Sequence, residues 1–231
     1  MEWFNKWTNT LYNTFIVDDR YKTLITGFEK TILITLGALA LGVVIGTIVA
    51  VIKVFADGNK KLRPLDFLCN IYLTIIRGTP VVVQLLISFF IIFVSSKDGT
   101  VVAIITFGVN SGAYVAETIR SGIMAVDSGQ MEAGRALGFS KLRTMQYIIL
   151  PQAFKNILPA IGNEMIALLK ETSVAGYVAV MDITKAANQI KNTTYDHINP
   201  ILLVALVYLA LVMGLTKLLS VFERRLRKSE R

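Results

Sequence analysis

Five ionisable side chains interrupt stretches of sequence that are otherwise apolar enough to lie inside a membrane. They are Glu117, Arg120, Glu164, Lys170 and Glu171. A charged group at the centre of a bilayer costs at least about 2.5–3.5 kcal/mol, so such residues mark functional sites or ion pairs. A zwitterionic solute needs a cation or N–H groups for its carboxylate and an acid for its ammonium group, and this set supplies both signs.

Helical spacing predicts which of these side chains share a face. Glu117 and Arg120 are three positions apart, so they can pair on one side of a helix. A purely structural ion pair is therefore an alternative to a binding role for these two residues.

Further along the chain, two faces of one helix carry polar groups. Asn163 and Lys170 are seven positions apart and share a face, while Glu164 and Glu171 occupy the neighbouring face. We expect those faces to line a polar pathway or to meet a partner.

The elements that must position these groups are membrane spans. The chain has 231 residues, 54% of them hydrophobic and 17% charged, with a mean hydropathy of +0.58, which is too apolar for an average soluble domain. A span needs about 20 apolar residues. The predicted fold is an all-α polytopic membrane protein forming one domain over residues 1–231, with five spans at 28–54, 64–95, 100–121, 152–180 and 198–222.

Two local features refine this prediction. Arg77-Gly78-Thr79-Pro80 falls inside the second span and should kink or unwind the helix there, although the segment still counts as one crossing. Gly42 and Gly46 are spaced to let two helices pack closely in the first span, with lipid-facing glycines as the alternative.

The basic residues predict the orientation. The net charge is +8, but the bases lie beside apolar runs, which indicates cytoplasmic loops and not a nucleic-acid surface. They follow spans one, three and five: Lys53, Lys60, Lys61 and Arg63; Arg135, Lys141 and Arg143; Arg224, Arg225, Arg227, Lys228 and Arg231. The intervening loops carry only Lys97, Lys185 and Lys191. Residues 223–231 should thus be a cytoplasmic tail, and residues 1–23, which are rich in aromatic residues, an external interfacial segment.

Residues 127–151 form a polar loop between two apolar spans. Asp127 or Ser128 should cap a short helix there, and Gly138 should end it, because glycine adopts the left-handed conformation at low cost. A second helix should run from Ser140 until Pro151 interrupts it.

This 127–151 loop carries a recognisable signature. Its residues Glu132-Ala133-Gly134, Gly138, Ile148, Leu150 and Pro151 match E-A-A-x(3)-G-x(9)-I-x-L-P except at the third position. The chain thus resembles the permease subunits of ATP-binding-cassette importers, in which such a loop receives the stroke of an ATPase. The small residues Ala133 and Gly134 should leave room for that partner, and glycine in place of the usual alanine should cost about 1 kcal/mol of helix propensity.

Further motifs over nearly the whole chain resemble the polar amino acid uptake subgroup, with the fold of type I importers. The motifs are Arg77-Gly78-Thr79-Pro80 with Val83-Gln84-Leu85, Asn110-Ser111-Gly112-Ala113-Tyr114, Leu158-Pro159-Ala160 and Asn163-Glu164. We expect Glu164 to line the translocation site, supported by Asn163, Glu117, Arg120 and Asn110.

With cytoplasmic loops after spans one, three and five, the odd number of spans puts the N-terminus outside. The resemblance implies alternating access by a plasma-membrane importer. The implied partners are two cytoplasmic ATPase subunits that hold ATP and magnesium, a second permease subunit, identical or related, and an external solute-binding protein. An ion-coupled carrier or channel using Glu117 and Glu164 is the main alternative, and a membrane-embedded hydrolase a weaker one. The sequence has no phosphate-binding loop, and neither the single histidine, His197, nor the single cysteine, Cys69, has the spacing of a metal or catalytic site.

Overall fold

The computed structural model describes residues 1–56, 59–96 and 98–228, and these residues form ten α-helices and no strand. The helices are α1 Glu2–Leu11, α2 Tyr21–Ala56, α3 Arg63–Gly78, α4 Val81–Ile87, α5 Gly99–Met124, α6 Ser128–Ala136, α7 Lys141–Thr144, α8 Leu150–Glu171, α9 Ile183–Thr194 and α10 Asn199–Lys228. Short 3₁₀ and π-helical turns join several of them. Of the residues that the charge argument used, Lys97 and Arg231 lie outside the described residues, as do the side chains of Arg227 and Lys228.

Four of the five predicted spans are long and apolar enough to cross a membrane, provided that the bent pair α3–α4 is counted as one span. The other three are α2, α5 and α10. The fifth, α8, has 22 residues and is about 33 Å long, enough to cross a bilayer, but its charged residues lower its hydropathy. The predicted end of this span at residue 180 is wrong, because α8 ends at Glu171 and a 3₁₀ segment, Thr172–Val178, follows.

The predicted break in the second span is present and is sharper than a kink. The axes of its two arms differ by 106°. The arms nevertheless contact different parts of α5: Leu73 lies in one apolar cluster with Ala116, and Leu85 lies in another with Phe107. The two arms together therefore follow α5 along much of its length.

The centre of the fold is the close contact between α2 and α5. A Cβ atom on Gly42 would lie 3.0 Å from the Ser111 side chain, and one on Gly46 would lie 2.6 Å from Val115 Cγ1. On the facing helix, a Cβ atom on Gly112 would lie 2.9 Å from Ile45. The glycines of the first span therefore allow two helices to pack closely, as the first of the two sequence interpretations predicted.

The two ends of the helical assembly differ in composition. At one end, Thr14 donates a 2.8 Å hydrogen bond to Asp196, which joins the N-terminal segment to the turn before α10. The N-terminal segment contains α1, whose Trp3, Phe4 and Trp7 are exposed. At the other end, the basic turn after α2 and the 127–151 loop lie side by side.

Candidate functional site

The 127–151 loop begins with the predicted capped helix. Asp127 caps α6, its carboxylate accepting a 2.7 Å hydrogen bond from the Gly129 N–H. At the other end, Gly138 has φ +86° and donates to Arg135 O at 3.0 Å, while the Phe139 N–H donates to Gly134 O at 3.2 Å. This pair of bonds is the Schellman motif, so Gly138 ends the helix by the predicted mechanism.

Gly134, which we expected to leave room for a partner, lies on the side of α6 that faces the next helix of the same chain. Gly134 is buried, and a Cβ atom there would lie 2.5 Å from Thr144 Cγ2 and 3.0 Å from Ile148 Cδ1. The glycine that replaces the signature's usual alanine therefore accommodates the next helix of the same chain. Its cost in helix propensity is offset by the close approach of Thr144.

The exposed surface of α6 is formed by other residues. Glu132 and Ala133 face solvent, as a docking role requires, and Leu137 is 77% exposed beside the partly exposed Phe139. An apolar side chain this exposed on a polar loop suits contact with another protein. Sequence reasoning missed Leu137, although an apolar residue directly before the glycine stop is a readable signal.

The prediction that Pro151 interrupts the second helix is also wrong. A π-helical turn, Met145–Ile149, links α7 to α8, and Pro151 lies in the first turn of α8. Proline is tolerated in a first turn, where its missing N–H and fixed φ cost little. The loop is therefore joined without a break to a membrane helix, with Leu150 half-buried and Pro151 exposed at the junction.

Within the membrane, Glu164 of α8 meets α5. Its Oε1 accepts a 3.1 Å hydrogen bond from the hydroxyl of Ser111, which is fully buried against Gly42. The two faces of α8 differ in burial, since Glu164 is half-buried whereas Asn163 and Lys170 are exposed. This places a carboxylate and a neighbouring amide at the edge of the α2–α5 contact.

Asn110 takes part in a different contact, at the break between α3 and α4. Its amide donates a 3.0 Å hydrogen bond to Gln84 Oε1. The amide of Gln84 in turn donates to Ile76 O at 2.8 Å and to Thr79 O at 3.1 Å. Gln84 thus satisfies carbonyls that the break leaves without helical partners and fixes the break to α5.

The predicted pair of Glu117 and Arg120 is present and has a third member. Arg120 Nε donates to Glu117 Oε2 at 3.3 Å, and a second guanidinium nitrogen contacts the other carboxylate oxygen. Arg77, from the end of α3, approaches the same carboxylate at 3.9 Å, with its guanidinium carbon 5.6 Å from the centre of the Tyr114 ring. Arg77, Glu117 and Arg120 line an open cavity of about 520 Å³.

The predicted site residues therefore fall into three groups. Ser111 and Glu117 are six residues apart on α5, which separates them by about 9 Å along the axis and by about 120° around it. The described residues show no hydrogen bond or ion pair between the Glu164 group and the Glu117 group. Sequence reasoning missed Gln84 and Ser111 as contact residues, although each is a polar residue within an apolar span.

The helices, the broken span and the exposed capped loop define a multi-pass α-helical membrane protein with a short exposed helix between two of its spans. The chain belongs to the family described as binding-protein-dependent transport system inner membrane components, whose sequence pattern matches residues 31–228.

Named relatives cover most of the chain. It is 34% identical over 210 residues to the arginine transport system permease protein ArtQ of Bacillus subtilis, covering 90% of this chain and 94% of that protein. It is 39% identical over 206 residues to the putative glutamine transport system permease protein GlnP of Rickettsia typhi, covering 88% and 92%.

Solved structures show the same fold. A chain from the crystal structure of an amino acid ABC transporter with histidines matches with a TM-score of 0.84 and 38% identity, covering 91% of this chain and 98% of that one. A chain of the MetNI methionine ABC transporter, in an inward-facing conformation, matches with a TM-score of 0.72 at 22% identity, which concerns the fold alone. The all-α importer fold predicted from the resemblance is confirmed.

Proposed function

We propose that this chain is the permease subunit of an ATP-binding-cassette importer that takes up polar amino acids by alternating access. The observation that carries this proposal is the 127–151 loop, a capped exposed helix joined through Pro151 to membrane helix α8. A carrier driven by an ion gradient has no need for such a loop. The amino acids named for ArtQ and GlnP support the class of cargo.

The partners follow from this role. Two cytoplasmic ATPase subunits hold ATP and magnesium and contact α6, an external binding protein delivers the solute, and a second permease subunit, identical or related, completes the pathway. The N-terminus lies outside the plasma membrane and the basic C-terminus inside it. ATP binding must favour one arrangement of the subunits over another, because a ligand shifts an equilibrium only by its differential affinity.

Glu164 is the residue we assign to the ammonium group of the solute. It accepts one hydrogen bond, from Ser111, and a carboxylate has room for several more. The exposed Asn163 is positioned beside it, and the exposed Lys170 lies six residues after Glu164 on α8 as a cation for a carboxylate. Asn110 acts through Gln84 by holding the broken span, while Glu117 and Arg120 line the polar route on another face of α5.

The test is uptake by the chain reconstituted in vesicles with its ATPase and binding protein, across a panel of amino acids. We expect uptake that requires ATP and favours one subset of the panel. Uptake that does not depend on ATP and is driven by an ion gradient would instead establish that the protein is an ion-coupled carrier.

The site assignment has its own variant and control. We expect Glu164→Gln to raise the KM for uptake at least about tenfold, a loss of about 1.4 kcal/mol in binding. Glu171→Gln, which removes a half-buried carboxylate from the next turns of the same helix, should leave KM unchanged. The assignment fails if Glu164→Gln transports with wild-type KM and rate.

A further inference from the structure

A cavity of about 730 Å³ opens at the end of the molecule that carries the 127–151 loop. It is bounded by the end of α2, the turn Lys60–Leu62, the start of α3, the end of α5 and the start of α7. It lies at the boundary between the apolar helices and the basic loops. Of its lining residues, only Arg120 has been given a role above.

The lining of the cavity is strongly cationic. Its charged members are five bases and one acid: Lys53, Lys60, Arg63, Arg120, Lys141 and Asp66. Lys53 is paired with Asp66 at 3.1 Å, and Arg120 is paired with Glu117. Within the described residues, no ion pair is formed by the other three bases, Lys60, Arg63 and Lys141. Three cations from two separate segments therefore line one cavity, and none of them has an ion-pair partner among the described residues.

Apolar side chains complete the wall. Val54, Ile123, Met124 and Met145 line the cavity between the bases. Phe67, which follows the cavity-lining Asp66 one turn into α3, is 63% exposed. A ligand that fits must therefore have an anionic group attached to an apolar body. A soluble phosphate satisfies the first requirement and leaves the second unmet.

We propose that this cavity binds the headgroup of an anionic phospholipid from the leaflet that faces the 127–151 loop. The phosphodiester accepts hydrogen bonds from the Arg63 guanidinium and from the ammonium groups of Lys60 and Lys141, and the acyl chains lie along α3 past Phe67. Because Lys141 begins α7, the bound lipid joins the turn after α2 to the loop that meets the ATPase. The inference rests on the proposed orientation, which places this end at the cytoplasmic leaflet.

The experiment measures lipid retention and contains no transport step. The purified transporter, with its ATPase subunits, is equilibrated with equal amounts of phosphatidylglycerol and phosphatidylcholine, and the lipid retained per complex is counted by native mass spectrometry. We expect phosphatidylglycerol to be preferred at least about tenfold. The triple variant Lys60→Gln/Arg63→Gln/Lys141→Gln should lose most of that preference.

Two further variants separate the cavity from general attraction. Lys217→Gln/Arg224→Gln/Arg225→Gln removes the same charge from α10, outside the cavity, and should keep the preference. The variant Lys60→Arg/Arg63→Lys/Lys141→Arg keeps the charge of the cavity and should also keep the preference for phosphatidylglycerol. That result would mean that substitution at these three positions does not by itself abolish lipid binding.

The proposal is overturned if the cavity triple variant retains phosphatidylglycerol as the wild type does, or if the α10 triple variant loses it equally. It is also overturned if millimolar glycerol phosphate or inorganic phosphate displaces the lipid, because the site would then belong to a soluble anion. A failure of amino acid uptake with lipid retention intact would instead concern the proposed function.

Discussion

The 127–151 loop is held by contacts between near neighbours in sequence, whereas the contacts of Asn110 and Glu164 inside the membrane join distant parts of the chain. In the loop, Asp127 caps Gly129 two residues on, and Gly134 accepts from Phe139 five residues on. In the membrane, Gln84 meets Asn110 across 26 positions. Ser111 meets Glu164 across 53.

This difference suits two different tasks. A helix that carries its own cap and stop can keep its shape while the helices around it change their arrangement. A contact such as Ser111–Glu164 exists only while α5 and α8 keep their present arrangement, so it can break and form again as the pathway opens. The same chain thus combines a stiff contact element with polar contacts that depend on conformation.

Gly138→Pro removes the stop of α6 and should have the largest effect. Proline fixes φ near −65°, whereas Gly138 has φ +86° and donates its N–H to Arg135. We expect uptake to fall at least about tenfold and ATP hydrolysis to lose its dependence on solute. Gly138→Asn is the control, since asparagine tolerates the left-handed conformation and should retain most of the uptake. A Gly138→Pro complex that assembles and transports like the wild type would contradict the role given to this loop.

Gln84→Leu tests the distant contacts. It leaves the Asn110 amide and the carbonyls of Ile76 and Thr79 without this partner, and each buried group left unpaired costs about 1–3 kcal/mol. The melting temperature of the purified protein should fall by several degrees. Adding Asn110→Leu should recover part of the loss, because the second change removes one unpaired group. Equal stability of Gln84→Leu and the wild type would mean that Gln84 does not hold the break.

The same contrast explains what the sequence could predict. The cap at Asp127 and the stop at Gly138 are determined by adjacent residues, so α6 was predicted nearly to its ends. The partners of Glu164 and Asn110 depend on the α2–α5 contact, which brings Ser111 against Gly42 and has no local signal. The charged candidates were therefore found without their hydrogen-bond partners.

Two errors have local physical causes. Pro151 was expected to stop the helix, but a π-helical turn precedes it and the helix continues through it.

Helix α9 was missed because its composition is polar overall. The sequence nevertheless carried two signals of this helix. Asp182 caps it by accepting hydrogen bonds from the N–H groups of Thr184 and Lys185. Its buried residues recur at helical spacing: Ile183, Ala186, Ala187 and Ile190.

Gly134→Ala sharpens the comparison within the loop itself, because Gly134 and Thr144 lie in successive helices. Alanine is the better helix former by about 1 kcal/mol, but its Cβ would lie 2.5 Å from Thr144 Cγ2, and overpacking of this kind costs about 1–3 kcal/mol. We expect a net loss of stability and weaker coupling of ATP hydrolysis to uptake. Thr144→Ala removes both the methyl group and the hydroxyl, which would lie 2.5 Å and 2.9 Å from that Cβ atom, and should restore most of what the alanine variant loses. If the double variant is no better than Gly134→Ala alone, Thr144 is not the obstacle.

Asp196 combines both kinds of contact, and its variants should have the smallest effect. It accepts local hydrogen bonds from the N–H groups of Ile198 and Asn199 and a distant one from Thr14. Partial burial works to raise the pKa of the Asp196 carboxyl, but these bonds and the Asn199 side chain outweigh it, so the pKa lies below its usual 3.8.

Since the folded carboxyl has the lower pKa, its contribution to stability is complete well above pH 3.8 and disappears as the pH falls through the lowered value. Asp196→Asn should therefore be less stable than the wild type by about 1 kcal/mol or less at pH 6, with no difference at the acid limit. Thr14→Val removes only the distant hydrogen bond and should lose part of the stability that the Asp196 carboxylate contributes. The melting temperatures of the two variants and the wild type between pH 3 and 6 measure how much of this stability comes from the local bonds and how much from the distant one. If the difference between Asp196→Asn and the wild type is the same at low pH, the charge of Asp196 contributes nothing to stability.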